Sequence, residues 1–203
     1  MTSADIPPVL LASASRTRQT LLHAAGVPVS AIPVDLDEQA MKVRLRADGV
    51  DAGDVAQALA QAKALAVAQT RPDALVIGAD QILVCEDDWY DKPRDLAAAR
   101  QQLRSLSGKT HRLLTAVVVV QETQLLWGHI SQAAMTMRPF TETFLDDYLA
   151  RGGPALLSSV GAYQLEGLGA QLFERIDGDH FTILGLPLLP LLDFLRRHGV
   201  IKT

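Results

Sequence analysis

Short apolar runs typical of strands alternate along this chain with longer segments that carry the spacing of amphipathic helices. This alternation constrains the fold most, because strands and helices that follow one another pack in layers around a sheet. The predicted strands cover residues 8–13, 27–34, 74–77, 82–85, 111–121 and 123–140, with short strands broken by glycines over 161–179. The predicted helices cover residues 15–26, 51–70, 95–108, 141–153 and 185–199, and 86–91 forms a turn-rich link. The pattern predicts an α/β fold.

Composition narrows the possible functions. The 203 residues carry a formal net charge of -4, which argues against non-specific nucleic-acid binding. Cys85 is the single cysteine and the five histidines lack metal-ligand spacing, so neither a disulfide framework nor a histidine–cysteine zinc site is expected. No signal peptide, membrane-spanning run, internal repeat or linker is evident. We expect one cytoplasmic domain over residues 1–203.

Asp80 separates the two apolar runs 74–77 and 82–85. A chain that leaves a sheet after the first run would place this carboxylate at the carboxyl end of a strand, where ligands of open α/β sheets gather. An aspartate that only caps a turn explains the same pattern. The residues alone leave both interpretations open.

Lys63 lies within an apolar helical segment. One apolar helical face is formed by Val55, Leu59, Ala62 and Ala66. Lys63 lies at the edge of this face. A lysine in this position can pack its stem and extend its amine to water, which is the ordinary interpretation. The other is that the amine serves a site.

Four polar residues mark the junction of the first predicted strand and helix, with Ser15 as the predicted N-cap and Gly26 as the helix stop. Arg16 and Arg18 follow the hydroxyls of Ser13 and Ser15. Helix N-termini attract anions, and arginine matches the geometry of phosphate oxygens. A solvated basic turn is the alternative, although cations there oppose the helix dipole.

Common phosphate motifs are absent. The sequence SGKTH at 107–111 ends like a P-loop but lacks its first glycine, and His111 is expected to bond backbone rather than phosphate. The arginines, Lys63, Lys92, Glu38 and Asp80 would together suit a polyphosphate with a divalent metal. Spacing does not establish that they converge.

The chain contains several short motifs in a fixed order, which span nearly its whole length: LASASRTRQTLL, VDLDEQ, ALAQAKALA, IGADQ, DKPRD, LSGKTH, GAYQLEGLGA and GDHFTILGLPL. Together they resemble the Maf family of nucleoside triphosphate pyrophosphatases. The resemblance implies an elongated twisted mixed sheet flanked by helices, in two lobes with a nucleotide cleft. It also implies a cytoplasmic homodimer that needs Mg²⁺ or Mn²⁺ and releases a nucleoside monophosphate and pyrophosphate.

The resemblance also assigns roles to individual residues. Asp80 matches the family's water-activating and metal-associated acid, and Glu38 matches a second acid expected at the metal. Lys63 and Lys92 match its catalytic lysines. Its phosphate-binding loop is matched by Ser13, Ser15 and Arg18. Between them, Arg16 and Thr17 replace a proline and an arginine of the family motif.

Base preference follows from a comparison of branches within the family. Gln81 and Glu166 resemble the branch that acts on 7-methylguanosine triphosphate, and a carboxylate suits the N–H edge of guanine. That branch has tryptophan where Thr17 stands, so purine preference is expected while methyl-guanine selectivity stays open. The family's lysine at position 159 is serine here, which leaves open whether Arg16 supplies that phosphate contact.

Two function classes remain. The first is a pyrophosphatase that removes non-standard nucleotides. The second is a nucleotide-binding regulator of cell division or septum formation that hydrolyses little, which the altered motifs favour. Turnover separates them, because a regulator would bind nucleotide without forming product.

Overall fold

A computed structural model describes residues 7–202. The strands are β1 Val9–Leu11, β2 Val29–Ala31, β3 Leu75–Cys85, β4 Asp88–Tyr90, β5 Thr110–Gln121, β6 Gln124–Met137 and β7 Phe173–Asp177. The helices are α1 Arg16–Ala24, α2 Glu38–Ala47, α3 Ala52–Ala68, α4 Leu96–Leu106, α5 Glu142–Gly152, α6 His180–Ile183 and α7 Leu188–Arg197. The alternation of strands and helices that the sequence predicts is confirmed.

The strands form one mixed sheet in the order β2-β1-β3-β5-β6-β7, with β4 paired to β3. β1 is parallel to both of its neighbours, whereas β3–β4 and β6–β7 are antiparallel. All of β1 is buried, as expected for an apolar strand between two neighbours and beneath helices. The α/β class, with a mixed sheet flanked by helices, is confirmed.

Helix ends follow the capping residues of the sequence. The Ser15 hydroxyl accepts from the Arg18 amide at the start of α1, and the Asp95 carboxylate accepts from the Ala98 amide at the start of α4. After these helices the chain turns at Gly26, with φ +73°, and Gly108, with φ +70°. Side-chain oxygens satisfy amides that a first helical turn leaves without partners, which is why these ends were predictable.

The segment around Asp80 differs from its prediction. β3 runs without a break from Leu75 to Cys85, so Asp80 lies inside a strand rather than where the chain leaves the sheet. A two-residue turn at Glu86 and Asp87 then leads into β4, within the segment predicted as a turn-rich link. The prediction of two separate runs was wrong because a carboxylate can stay within a buried strand when a cation neutralises it.

The last third also departs from its prediction. Short 3-10 helices at Val160–Ala162 and Leu168–Leu172 precede β7 in the region where several short strands were expected. A further 3-10 helix at Gly153–Ser158 lies before that region. Gly161 and Ala162 have φ of +77° and +59°, which no strand accommodates. Helix α2 was not predicted, and none of its residues is buried, so its apolar pattern is weak.

The chain divides into two compact units. Of the described residues, 7–81, 115–131 and 185–202 make the first unit, and 82–114 and 132–184 make the second. The core of the second unit combines side chains of α4, β5, β6 and α5, among them Leu103, Leu113, Met135 and Leu145. The single domain predicted over 1–203 stays a prediction.

Across residues 7–202, none of the helices combines the length and apolar character that crossing a membrane requires.

Candidate active site

Lys63 joins two carboxylates in the first unit. Its Nζ lies 2.6 Å from Asp80 Oδ1 and 2.8 Å from Glu38 Oε2. Lys63 and Asp80 are 8% and 6% exposed, whereas the Glu38 side chain is 45% exposed. The cluster therefore combines one buried ion pair with one carboxylate open to water.

The ordinary interpretation of Lys63, with an amine extended to solvent, was wrong. The buried face of α3 includes Leu59, Ala60, Lys63 and Ala64, whereas Ala62 lies at its edge. In an alanine-rich helix the apolar face is ambiguous in sequence, since small residues fit both the core and its margin. Lys63 is tolerated inside because its charge meets Asp80.

A close approach of α3 to β3 brings these side chains together. A Cβ at Gly78 would lie 2.0 Å from the carbonyl oxygen of Ala60 and 3.0 Å from Cβ of Ala64. Gly78 and Asp80 face the same side of the strand, since side chains alternate along it. The absent side chain at 78 thus lets the helix lie close enough for Lys63 to reach Asp80.

The loop between β1 and α1 holds the predicted phosphate-binding residues. Ser13 is 8% exposed, and its Oγ accepts from the Ser15 amide at 3.2 Å. Arg16 is exposed and Thr17 is partly buried in the first turn of α1. The two serine oxygens are thus used as acceptors, while their hydroxyl hydrogens can still be donated to a ligand.

Arg18 connects this loop to the strand that carries Asp80. Its Nε donates to the carbonyl of Gly185 at 2.7 Å, and its Nη1 donates to the carbonyl of Ala79 at 2.8 Å. Burial lowers the pKa of the Arg18 guanidinium from its ordinary value, and the charges of Asp80 and Glu38 oppose this lowering. The loop, Asp80 and the buried lysine therefore belong to one continuous region of the first unit.

Gln81 follows Asp80 on β3, so its side chain faces the opposite side of the sheet. Its amide donates to the hydroxyl of Thr115 on β5 at 2.9 Å. A contact between Gln81 and a bound base stays a prediction.

Lys92 and Glu166 belong to the second unit. Lys92 is exposed just after β4 and is followed by the buried Pro93, while Glu166 is exposed in a turn between two 3-10 helices. Their convergence with the Asp80 cluster stays a prediction.

A buried polar pair in the second unit was missed. His111 is fully buried, and its Nε2 lies 2.7 Å from the Tyr163 hydroxyl. Burial lowers the pKa of His111 to about 4 and raises that of Tyr163. The expectation that His111 bonds backbone was wrong. Thr110 and Arg112 are exposed, whereas His111 and Leu113 are buried on the other face of β5. The two-residue period of a strand puts His111 on the same face as the apolar Leu113, and this is the signal that could have found it.

The two carboxylates around Lys63 are the predicted metal ligands. The part of the chain from 7 to 202 contains no group of three or more His, Cys, Asp or Glu side chains that could hold a metal ion. Glu38 and Asp80 each use one oxygen for Lys63, which leaves a second oxygen on each. Two carboxylates fit Mg²⁺, which takes few protein ligands and completes its shell with water and substrate phosphates.

Comparison with known proteins agrees with the motifs. The family model described as Maf-like protein matches residues 8–198. A protein of Rhodospirillum rubrum named nucleoside triphosphate pyrophosphatase is 55% identical over 201 residues, which cover 99% of this chain and 100% of the relative. A protein of Rhizobium meliloti named 7-methyl-GTP pyrophosphatase is 52% identical over 97% of this chain and 99% of its own length.

Proposed function

We propose, since this chain belongs to the Maf-like protein family, that it is a hydrolase that cleaves nucleoside triphosphates into a nucleoside monophosphate and pyrophosphate. The observation that carries the proposal is the buried pair of Lys63 and Asp80, which Arg18 of α1 links to Ser13 in the preceding loop. The names of the relatives from Rhodospirillum rubrum and Rhizobium meliloti support the same reaction class.

Asp80 is the proposed base. Its Oδ1 accepts from Lys63, which orients the carboxylate. The lone pairs that remain on its two oxygens can accept a proton from water and contact the proposed cation. The water oxygen forms a bond to the α-phosphorus as the bond from that phosphorus to the bridging oxygen breaks. The nucleoside monophosphate keeps the water oxygen, and pyrophosphate leaves with the bridging oxygen.

The proposed phosphate-binding site is the loop between β1 and α1. The hydroxyls of Ser13 and Ser15 donate to phosphate oxygens, and the exposed Arg16 adds charge. The N-terminus of α1 contributes backbone N–H groups and the positive end of its dipole. Lys92 is proposed to neutralise the leaving pyrophosphate, as the family resemblance implies.

A divalent cation, Mg²⁺ or Mn²⁺, is proposed as cofactor, held by Glu38 and Asp80. Such an ion neutralises charge on the triphosphate oxygens. Because Lys63 contacts both carboxylates, metal affinity should depend on the phosphates that complete the coordination shell.

The proposal extends to the preferred base, the cellular task and the oligomeric state. Glu166 is proposed to read the N–H edge of a purine, with Gln81 and Thr17 shaping the base site. The cellular task is removal of non-standard nucleotides, in the cytoplasm, by a homodimer. The relative named 7-methyl-GTP pyrophosphatase makes 7-methylguanosine triphosphate the first substrate to try.

The test is incubation of the purified chain with a panel of nucleoside triphosphates, 7-methylguanosine triphosphate included, with Mg²⁺ or Mn²⁺. Monophosphate and pyrophosphate should form with wild type, and Asp80→Asn should reduce turnover at least about 100-fold because the amide cannot take the proton. Arg71→Lys, which alters a partly exposed arginine paired with Asp73, is the matched control. Diphosphate and phosphate as products would place the scissile bond elsewhere. Tight nucleotide binding without product would favour the cell-division regulator.

A further inference from the structure

The Arg18 guanidinium donates three hydrogen bonds to the protein itself. Nε donates to Gly185 O, and Nη1 donates both to Ala79 O and, at 3.4 Å, to Ser13 Oγ. A guanidinium has five N–H donors, and phosphate is usually bound by two of them from neighbouring nitrogens. Since Nε and Nη1 are engaged, a two-donor grip on phosphate would require Arg18 to give up a bond to the protein.

The carbonyl of Ala79 lies just beyond the point where β1 stops pairing with β3. β1 pairs with β3 only from Leu75 to Ile77, and the bond from the Ala12 amide to the Ile77 carbonyl follows its last residue. Carbonyls two residues apart in a strand point to the same edge, so the Ala79 carbonyl is the next one on that edge. Nη1 of Arg18 donates to it in place of the missing strand.

The peptide that Arg18 holds is the one that joins Ala79 to Asp80. On the side-chain side, Asp80 is fixed by Lys63 at 2.6 Å. Arg18 fixes the backbone of the same residue, and its bond to Gly185 anchors it to the turn before α7.

We propose that Arg18 is a positioning residue that acts through the Ala79–Asp80 peptide, and not a ligand of the triphosphate. Its catalytic effect rests on the proposed hydrolysis by Asp80. Displacement of a reacting group by about 1 Å typically costs about 100-fold in rate. Loss of the Arg18 bonds therefore lowers kcat and leaves nucleotide affinity nearly unchanged.

Arg18→Lys separates the two roles. Lysine binds phosphate as a point charge, so a phosphate ligand would keep much of its function, whereas one ammonium cannot replace the planar fork that bonds both carbonyls. We expect kcat to fall about 100-fold, with KM and the dissociation constant for pyrophosphate within about three-fold of wild type. A rise of more than about ten-fold in both constants, with kcat retained, would overturn the proposal.

Hydrogen exchange gives a readout that does not depend on activity. In Arg18→Lys, amides of residues 78–82 should exchange at least about ten-fold faster, while those of 116–120 in β5 keep their wild-type rates. Unchanged exchange at 78–82 would refute the positioning role even if activity is lost. Arg18→Gln, which keeps a planar donor, replaces the lysine variant if that fails to fold. Wild type without turnover would refute the proposed function, and the exchange comparison would still decide whether Arg18 holds the strand.

Discussion

Replacement of Lys63 by methionine tests whether the buried ion pair organises the site. Methionine keeps the length and packing of the lysine stem but removes the charge. Asp80, 6% exposed, would then lack the cation that lies 2.6 Å from its Oδ1. Removal of one partner from a buried pair costs about 3 to 5 kcal/mol, because the remaining charge stays buried. The positive charge of Arg18 interacts with Asp80 and offsets part of this loss, so we expect about 3 kcal/mol.

Glu38→Gln is the matched control, since it removes the other carboxylate that contacts the same amine. The Glu38 side chain is 45% exposed, and water solvates its surroundings when the pair is broken. We expect a loss of about 1 kcal/mol or less. The asymmetry between the variants, rather than either value alone, is the prediction.

Urea unfolding at pH 7, followed by circular dichroism and fluorescence, measures both losses. The double variant Lys63→Met with Asp80→Asn should recover part of the stability that Lys63→Met loses, since no buried charge is left unpaired. Equal losses for Lys63→Met and Glu38→Gln, or no recovery in the double variant, would refute the reasoning that Asp80 depends on Lys63.

Two further predictions concern stability. Burial lowers the pKa of His111 from 6.5 to about 4, so the unfolded chain binds a proton more readily than the folded one. Wild type should therefore lose about 3 kcal/mol of unfolding free energy as the pH falls from 6.5 to 4. Urea unfolding across that range should show the loss removed in His111→Gln but retained in His180→Gln, which alters an exposed histidine; equal slopes in all three proteins would contradict it. Gly78→Ala should cost about 3 kcal/mol or more, because its Cβ would meet the Ala60 carbonyl. Thermal unfolding against Gly128→Ala, whose Cβ would find its nearest atom at 3.5 Å, checks this, and similar midpoints for the two variants would count against the close approach.

The order of strands and helices was predictable because apolar periodicity and caps such as Ser15 and Asp95 act locally. The convergence of Glu38, Lys63 and Asp80 was not derivable from spacing, since it depends on how closely α3 packs on β3. Residue chemistry suggested these residues for one site, and only the family resemblance gave a reason to expect that they converge.

The features that were predicted wrongly, or not at all, each have a physical explanation. Asp80 was placed outside a strand because its cation, Lys63, is remote in sequence. The region around the 3-10 helices Val160–Ala162 and Leu168–Leu172 was predicted as strands because its apolar pattern does not reveal the positive φ angles at Gly161 and Ala162. The bonds of Arg18 to the carbonyls of Ala79 and Gly185 were not predictable, because these acceptors become its neighbours only in the folded chain.

Hydrolysis in ¹⁸O-labelled water, with Asp80→Asn in parallel, shows whether water attacks the α-phosphorus and whether Asp80 is its base. Mass spectrometry of the products from wild type should place the label in the nucleoside monophosphate and leave pyrophosphate unlabelled. Asp80→Asn should form neither product at a comparable rate. Label in pyrophosphate, or an Asp80→Asn variant as fast as wild type, would contradict the account.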